Sequence, residues 1–278
     1  MLTLITTPIG NLADMAPRSV SAIEEADLLA CEDTRQTQKL LMLLGIKTKA
    51  KLIAYHDHNG EKMRPRIISA LENGLKVGLI CDAGTPLISD PGYKLVREIQ
   101  EKSLGVTATA GACAPILALI LSGLPTDRFF FHGFLPEKKK SASNLLAECR
   151  HITATSLFFM SPSNLLAQLP LIEEHWGKRQ VALVREITKL HEQVIRGDLA
   201  ELIEMISTQD KPKGELVLVV GPPEEEDSFS EEDITALLQD RLASLSVKDA
   251  VQEIASLTGK SRKSIYQMAL SVKGESDL

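Results

Sequence analysis

The chain has 278 residues, of which 44% are hydrophobic and 24% are charged, and its formal net charge is −6. These values exclude a disordered or fibrous chain and predict a globular protein with more than one domain. No apolar run approaches the ~20 residues of a membrane-spanning helix. The negative charge argues against a surface coated with nucleic acid but leaves local basic patches open. No signal-type segment precedes the first predicted strand, and the four cysteines show no CxxC spacing, so we expect a cytoplasmic protein with reduced thiols.

The first part of the chain is predicted to contain strands that alternate with helices. Each strand pattern ends in a polar loop, and an amphipathic helix pattern follows. The predicted strands are Leu2–Thr7, Leu28–Cys31, Leu52–Tyr55, Val77–Cys81 and Gly105–Thr109. This alternation predicts a mostly parallel sheet, which would bring the Gly/Pro-rich strand ends to one edge.

The loop after the fourth strand, Asp82–Gly92, is the strongest candidate for a site. Loops of this kind usually have about 2–6 residues. This one is longer and holds two glycines, two prolines and four small polar side chains. Ligands of open α/β sheets bind where strands end at their carboxyl edge, so we expect a site here. The alternative is an ordinary strand–helix loop with turn chemistry and a helix cap.

A second α/β series is predicted after a hinge at Gly123–Asp127. Its predicted strands are Phe129–His132, Ser156–Met160, Gln180–Arg185, Glu192–Arg196 and Glu215–Val220, with a basic loop at Pro136–Ser141. The acidic segment Pro222–Asp233 reads as a linker, and three helical patterns follow between Ile234 and Val272. We therefore expect an N-terminal α/β domain at residues 1–122, a second α/β domain at 123–223, and the linker with a helical C-terminal module at 224–278.

Six motifs, in this order, resemble those of the ribosomal RNA small subunit methyltransferase I family, within the tetrapyrrole-methylase-like superfamily. They are Thr7-Pro8-Ile9-Gly10-Asn11-Leu12, Glu32-Asp33-Thr34-Arg35, His56-Asp57-His58-Asn59, the loop Asp82–Gly92, Arg185-Glu186-Ile187-Thr188-Lys189 and Lys213-Gly214-Glu215. The resemblance covers nearly the whole chain. It implies two α/β domains that hold S-adenosylmethionine (SAM) in the cleft between them, and a homodimer. It also implies 2′-O-methylation of a cytidine ribose in the decoding region of 16S ribosomal RNA, in the small ribosomal subunit.

The resemblance also implies which loops contact the cofactor. The residues carried over are Pro8, Ile9, Ala83, Gly84, Thr85, Ile88, Gly111, Ala112 and Cys113, and the same loops add Gly10 and Asp82. The chain departs from the family pattern in two segments. It has Ala110–Ala114 where the family usually has Pro-Gly-Pro-(Ser/Cys)-Ala. It has Phe159–Asn164, without acidic, imidazole or guanidinium groups, where Tyr-Glu-Ser-Pro-His-Arg is usual.

Four polar residues at strand ends are candidates for the chemistry. A ribose hydroxyl is a poor nucleophile near neutral pH, so a nearby base or a fixed positive charge would help methyl transfer. We expect this help from Asp33, Arg35, His58 and Lys189. The alternatives are a helix cap with a surface arginine for the first two, a structural turn for the histidine, and an ion pair with Glu186 for the lysine.

Further residues are expected to contact the substrate. Glu32, His56 and Asn59 lie beside the candidates above, and Lys260, Arg262 and Lys263 lie in the tail. His56 and His58 alone do not predict a metal, because no third ligand follows at a recognisable spacing. The last two helical patterns resemble a helix-turn-helix with a basic second half, which would approach RNA; packing of a small helical appendage explains the same apolar spacing. Two other functions stay open: a small-molecule methylase of the tetrapyrrole type, and a catalytically weakened RNA-binding assembly factor.

Overall fold

A computed structural model describes residues 1–208, 214–223, 231–258 and 260–276, with the backbone alone for 273–276. In this part of the chain two five-stranded sheets carry helices, and three further helices form a C-terminal module. The α/β class predicted from the sequence is confirmed. Lys213, Gly259 and residues 224–230 of the expected linker lie outside the described residues.

The first sheet is built from strand–helix units that follow one another along the chain. Its strands are β1 (Leu2–Ile5), β2 (Leu28–Cys31), β3 (Lys51–Ala54), β4 (Val77–Ile80) and β5 (Val106–Ala108). Its helices are α1 (Pro17–Glu25), α2 (Thr34–Leu44), α3 (Gly60–Glu72) and α4 (Tyr93–Glu101). The strand order is β3-β2-β4-β1-β5 and every pairing is parallel, as predicted. The loops that follow these strands therefore lie at one edge of the sheet.

The second sheet is mixed. Helix α5 (Ala114–Ser122) leads into β6 (Phe129–Phe134), α6 (Lys139–Cys149), β7 (Thr155–Met160), α7 (Leu165–Trp176), β8 (Gln180–Arg185), β9 (Gln193–Asp198), α8 (Leu199–Thr208) and β10 (Leu216–Val220). The strand order is β6-β7-β10-β8-β9, and only the pairing of β6 with β7 is parallel. The last strand in the sequence is thus the central strand of the sheet.

Helix α5 joins the two halves of the protein. It follows the last strand of the first sheet but packs against β7, β8 and β10 of the second sheet. Its buried Ala118 and Leu119 share one apolar cluster with Ile9, which follows β1, and with Val184 and Val219 of the second sheet. This packing fixes the loop edge of the first sheet against one face of the second.

Two predicted boundaries differ in the structure. The basic loop predicted at Pro136–Ser141 ends early, because α6 begins at Lys139 and buries Ala142 and Leu146. The predicted acidic linker also ends early. Its last three residues, Glu231–Asp233, form the first turn of helix α9 (Glu231–Leu242), where carboxylates interact favourably with the helix dipole.

The C-terminal module has an apolar core of its own. Helices α10 (Val247–Thr258) and α11 (Arg262–Ser276) pack with α9, and the buried residues include Ile234, Ile254 and Ile265. The three helical patterns predicted from the sequence therefore form helices. All four cysteines are free thiols. Within the described ranges, no helix combines the length and the apolar character needed to cross a membrane.

Candidate active site

Three loops at the carboxyl edge of the first sheet are joined by hydrogen bonds. Thr7, after β1, donates its N–H to the carbonyl of Gly84, after β4, at 2.9 Å, and Gly84 returns a bond at 3.2 Å. The hydroxyl of Thr85 donates to the carbonyl of Ala112, after β5, at 2.8 Å. The three Gly/Pro-rich strand ends therefore form one continuous surface.

Gly84 lies where these loops meet, and no larger residue fits there without strain. Its φ of +81° belongs to the left-handed region that L side chains rarely adopt. A Cβ at this position would lie 3.1 Å from Cγ2 of Ile9 and 3.6 Å from the carbonyl oxygen of Ala112. The absence of a side chain keeps the surface open at this point.

A cavity of about 240 Å³, here called the cleft cavity, lies between this surface and the second sheet. The first half of the chain lines it with Ile9, Ala83, Ile88, Ser89, Asp90 and Ala114. The second sheet and its loops line it with Phe134, Phe159, Met160, Ile187, Glu215, Leu216 and Val217. A smaller adjoining space adds Gly84, Thr85, Cys113 and Pro115. The walls are mostly apolar, and two carboxyl-bearing residues, Asp90 and Glu215, line the cavity as well.

A second and more polar cavity, here called the polar cavity, lies over the ends of β3 and β4. Its volume is about 650 Å³. It is lined by Tyr55, His56, Asp57, Gly60, Glu61, Arg64, Asp90, Pro91, Gly92, Tyr93 and Lys94. Nδ1 of His56 is buried and finds no hydrogen-bond partner among the described residues. Asp90 lines this cavity and the cleft cavity alike, so the two spaces meet at this residue.

The residues predicted to contact the cofactor fall into two groups. Those that line the cleft cavity or its extension are Ile9, Ala83, Gly84, Thr85, Ile88 and Cys113. The others, which line neither space, are Pro8, Gly10, Asp82, Gly111 and Ala112. A Cβ at Gly10 would overlap the side chain of Lys189, and one at Gly111 would overlap Thr6. These glycines let the loops pack closely against neighbouring side chains.

Carboxyl groups that follow two neighbouring strands, β2 and β4, come close together beside the cleft. The backbone N–H of Asp33 donates to Oδ1 of Asp82 at 3.1 Å, and Glu32 lies next to both. Burial, with the negative charge of Glu32 adding to it, raises the pKa of Asp90 to about 6, although a hydrogen bond with the Cys81 thiol lowers it in part. Burial also raises the pKa of Glu32 and of Asp82.

Asp33 and Arg35 form a local pair at the start of α2. The carboxylate of Asp33 accepts the backbone N–H of Arg35 at 2.8 Å, which caps the helix. It also accepts Nε and Nη2 of the guanidinium at 3.1 and 2.7 Å, and these bonds lower the pKa of Asp33 to about 2. The Arg35 side chain is 87% exposed. This geometry matches the alternative given above, in which Asp33 caps the helix and Arg35 is a surface residue. The exposed guanidinium of Arg35 can still bind a partner.

Lys189 lies across the boundary between the two halves. Its side chain packs over Gly10, and Nζ donates to Glu186 at 2.9 Å and to Glu215 at 3.1 Å. Burial lowers the pKa of Lys189, but the hydrogen bonds to the two carboxylates outweigh it and leave the pKa raised. The lysine is therefore a fixed cation, and the ion pair noted above as the alternative is present beside the cleft.

The remaining predicted residues lie at two separate places. The N–H of His56 donates to Oδ1 of Asn59 at 2.9 Å, and Asn59 Nδ2 donates to the carbonyl of Ala54 at 3.0 Å. The rings of His56 and His58 lie 6.0 Å apart, and His58 is exposed. The other place is the tail, where Lys260 is half-buried and Arg262 and Lys263 are exposed. In the described part of the chain, no three His, Cys, Asp or Glu residues cluster in a way that could hold a metal ion.

Several lining residues were not among the predicted site residues. Asp90 belongs to a loop that the sequence singled out, and its polarity was the available signal. Phe134, Phe159, Leu216 and Val217 carried no such signal, because apolar residues of this kind look the same in a strand core and in a cleft wall.

Comparisons with known proteins agree over the whole chain. The family model described as Tetrapyrrole (Corrin/Porphyrin) Methylases matches residues 1–203, and the one described as the RsmI C-terminal HTH domain matches residues 229–273. The ribosomal RNA small subunit methyltransferase I of Mesorhizobium japonicum is 41% identical and covers 99% of this chain and 94% of its own. The protein of the same name from Synechocystis is also 41% identical and covers 99% of both chains.

Solved structures share the fold of the first two parts of the chain. Diphthine synthase superposes with a TM-score of 0.61 at 17% identity, over 79% of this chain and 89% of that one. The uroporphyrin-III C-methyltransferase of Thermus thermophilus, complexed with S-adenosyl homocysteine, superposes with a TM-score of 0.52 at 15% identity. This match covers 79% of the present chain and 96% of that one. The fold, the motifs and the near full-length relatives together show that this chain belongs to the ribosomal RNA small subunit methyltransferase I family of tetrapyrrole-type methylases.

Proposed function

We propose that this protein transfers the methyl group of SAM to the 2′-hydroxyl of a cytidine ribose in the 16S RNA of the small ribosomal subunit. The observation that carries the proposal is the cleft cavity, which three Gly/Pro-rich strand ends form together with the second sheet. This cavity lies in a chain that aligns along almost its whole length with proteins named for ribosomal RNA methylation.

The cleft fits the chemistry of SAM. Its apolar walls, which include Ile9, Ile88 and Phe159, suit the face of an adenine ring, and the carboxylate of Glu215 suits a positively charged ligand. The open junction at Gly84 would be filled by any side chain, as expected where a ligand approaches the backbone closely. When bound, SAM supplies an electrophilic methyl group on a sulfonium. The protein therefore has to bind the two reactants, orient them towards each other and exclude water from the site.

The residues around the cleft have separate roles in this proposal. Pro8–Gly10, Asp82–Ile88 and Gly111–Cys113 form or support the cofactor side. The fixed cation of Lys189, with Asp33, Arg35 and His58, would serve the RNA, either by pairing with phosphate or by stabilising the oxygen that loses its proton. Glu32, His56 and Asn59 would contact the target nucleotide, and of these three residues His56 lines the polar cavity.

The rest of the molecule supports four further proposals. The division into residues 1–122, 123–223 and 224–278 follows the two sheets and the three-helix core, with α5 as a wall shared by the first two units. The basic residues Lys260, Arg262 and Lys263 would contact RNA. Exposed Ile120 and Phe130 favour a homodimer, since large apolar residues at a surface mark association sites. A ribosomal substrate would be met in the cytoplasm, which supports a cytoplasmic location.

A single-turnover assay tests the proposed function. Small ribosomal subunits from cells that lack the enzyme are mixed with the protein and with SAM labelled at its methyl group. We expect label in 16S RNA, at a linkage that resists alkali because the 2′-oxygen is methylated. Transfer to an added tetrapyrrole and not to RNA would favour the tetrapyrrole-type alternative, and binding of the subunit without transfer would favour an assembly factor.

A further inference from the structure

Asp90 occupies the junction of the two cavities. Among the described residues it is the one that lines both the cleft cavity and the polar cavity. The Asp90 side chain is half-buried, and the nearby Cys81 thiol donates to the backbone carbonyls of Ala83 and Gly84 in the same loop. A carboxylate in this place can contact a group held in the polar cavity while it faces the space assigned above to the methyl donor.

The backbone that leads to Asp90 is held in an unfavourable conformation. Leu87 has φ +75° and Ser89 has φ +62°, values that residues with a side chain rarely adopt. This loop reaches the second sheet: a Cβ at Gly133, where β6 has a bulge, would lie 3.5 Å from Oγ of Ser89. Such backbone strain persists only where the surroundings hold it in place, and it is concentrated at functional sites.

We propose that Asp90 is the general base of the methyl transfer, and that the target nucleoside enters the polar cavity with its 2′-oxygen beside this carboxylate. The proposal rests on the proposed function. The 2′-oxygen forms a bond to the methyl carbon while the bond from that carbon to the sulfonium sulfur breaks and leaves its electron pair on sulfur. The proton of the 2′-hydroxyl passes to the carboxylate of Asp90, which then releases it to solvent.

The size of the polar cavity and the charges around Asp90 agree with this role. About 650 Å³ lies within the usual range for small-molecule sites, so the cavity can hold one nucleoside. Several titratable or charged residues face or surround Asp90: Glu32, Cys81, Asp82 and Glu215, and, around the polar cavity, Tyr55, His56, Asp57, Glu61, Arg64, Tyr93 and Lys94. With a pKa of about 6, Asp90 is ionised at neutral pH and is a stronger base than an ordinary aspartate.

The test compares Asp90→Asn, Asp90→Glu and Asp127→Asn, the last being an exposed carboxylate that lines neither cavity. In single turnover on small ribosomal subunits, we expect Asp90→Asn to slow transfer by about 10²–10⁴-fold. Calorimetry should show that the same variant keeps its affinity for SAM, and Asp127→Asn should match wild type. Asp90→Glu should restore part of the rate. The wild-type rate should rise from about pH 5, reach half its maximum near pH 6 and level off above about pH 7, and Asp90→Asn should lose this step.

A second measurement uses the protein without cofactor or RNA. In a carbon NMR titration of the side-chain carboxyl groups, the resonance that is missing in Asp90→Asn should titrate near pH 6. Turnover of Asp90→Asn equal to wild type, loss of its SAM binding, or titration in the ordinary aspartate range would each overturn the assignment of the base. If the wild-type protein labels no RNA, the proposed function is wrong, and the assignment of Asp90 as its general base is wrong as well.

Discussion

Gly84 is the residue whose replacement tests the cofactor site most directly. Valine there would combine an unfavourable φ of +81° with a side chain directed at Ile9 and Ala112, so we expect SAM affinity to fall at least tenfold. Gly74→Val is a matched control, because its φ is +80° and nothing lies within 4 Å of its Cβ position. Calorimetry on both variants measures the effect. If the two bind SAM equally well, the site lies elsewhere.

Asp90 also has a consequence for stability that does not depend on activity. Its folded-state pKa of about 6 lies above the unfolded value of about 3.9. The folded state therefore binds the proton more tightly, so the ionised group lowers the free energy of unfolding above pH 6, and this penalty vanishes below about pH 4. Asp90→Asn should raise the free energy of unfolding by roughly 1–2 kcal/mol at pH 7.5 and leave it unchanged at pH 4.

Urea unfolding of wild type and variant at the two pH values measures this difference. Asp127→Asn supplies the control for a carboxylate in solvent. A gain of stability that is the same at pH 4 and pH 7.5 would mean that packing, and not the charge, sets the effect.

The start of helix α2 separates two roles that the sequence left open for Asp33 and Arg35. Asp33 caps the helix, whereas the Arg35 side chain is 87% exposed and pairs with Asp33. We expect Asp33→Ala to lower the melting temperature, and Arg35→Ala to leave it nearly unchanged, since exposed ion pairs contribute little. Methyl transfer by Arg35→Ala then decides the role of the arginine. A wild-type rate would leave Arg35 as a surface residue, and a reduced rate with SAM binding intact would place it at the RNA.

The pH dependence of the Asp33 variant has a definite sign. The pKa of Asp33 is lowered to about 2, so its stabilising bonds are complete above the ordinary aspartate pKa and disappear as the pH falls towards 2. The melting temperatures of wild type and Asp33→Ala should therefore converge in acid. A difference that persists unchanged at pH 2 would contradict the cap.

At the scale of elements, the sequence predicted most strands and helices and the parallel first sheet. Alternating apolar runs and polar loops carry that information locally. The strand order of neither sheet could be read in this way, because β1 pairs with β4 and β5, and β10 pairs with β7, across long stretches of chain. The start of α6 was missed because its first turn is a run of lysines without apolar spacing.

The candidate site shows the same division. The Gly/Pro-rich loops and their meeting at one edge were predictable, since both follow from residue types and a parallel sheet. The junction at Asp90 was not, because it depends on how the halves are packed together. The apolar wall at Phe159 and Val217 was missed for the same reason.

At the scale of the whole molecule, the C-terminal module bears on the affinity for RNA. The start of α11 presents Arg262 and Lys263 to solvent, with Lys260 close by. Replacing all three with glutamate should weaken binding to the small ribosomal subunit. It should also reduce the slope of log K against log salt concentration, by about 0.7–0.9 for each phosphate that the tail no longer binds. Affinity for SAM should not change, because none of the three residues lines the cleft cavity.

A control with the same change of net charge separates location from total charge. Lys47, Lys49 and Lys51 are exposed and lie before or at the start of β3. Their reversal to glutamate should alter the salt slope less than reversal in the tail. Equal slopes for both triple variants would reduce the tail to a packing or dimerisation element.

The central place of β10 has a consequence for the order in which the protein matures during translation. All strands of the first sheet have been synthesised once Ala108 is made, so a nascent chain can fold this sheet before the second one. The second sheet has to wait until Val220 has emerged, and until then β7 and β8 have no strand between them. Because Leu216 and Val217 also form part of the cleft wall, the growing chain presents its glycine loops long before it can enclose a ligand. We therefore expect the unfinished polypeptide to stay inactive until this late strand has emerged from the ribosome that makes it.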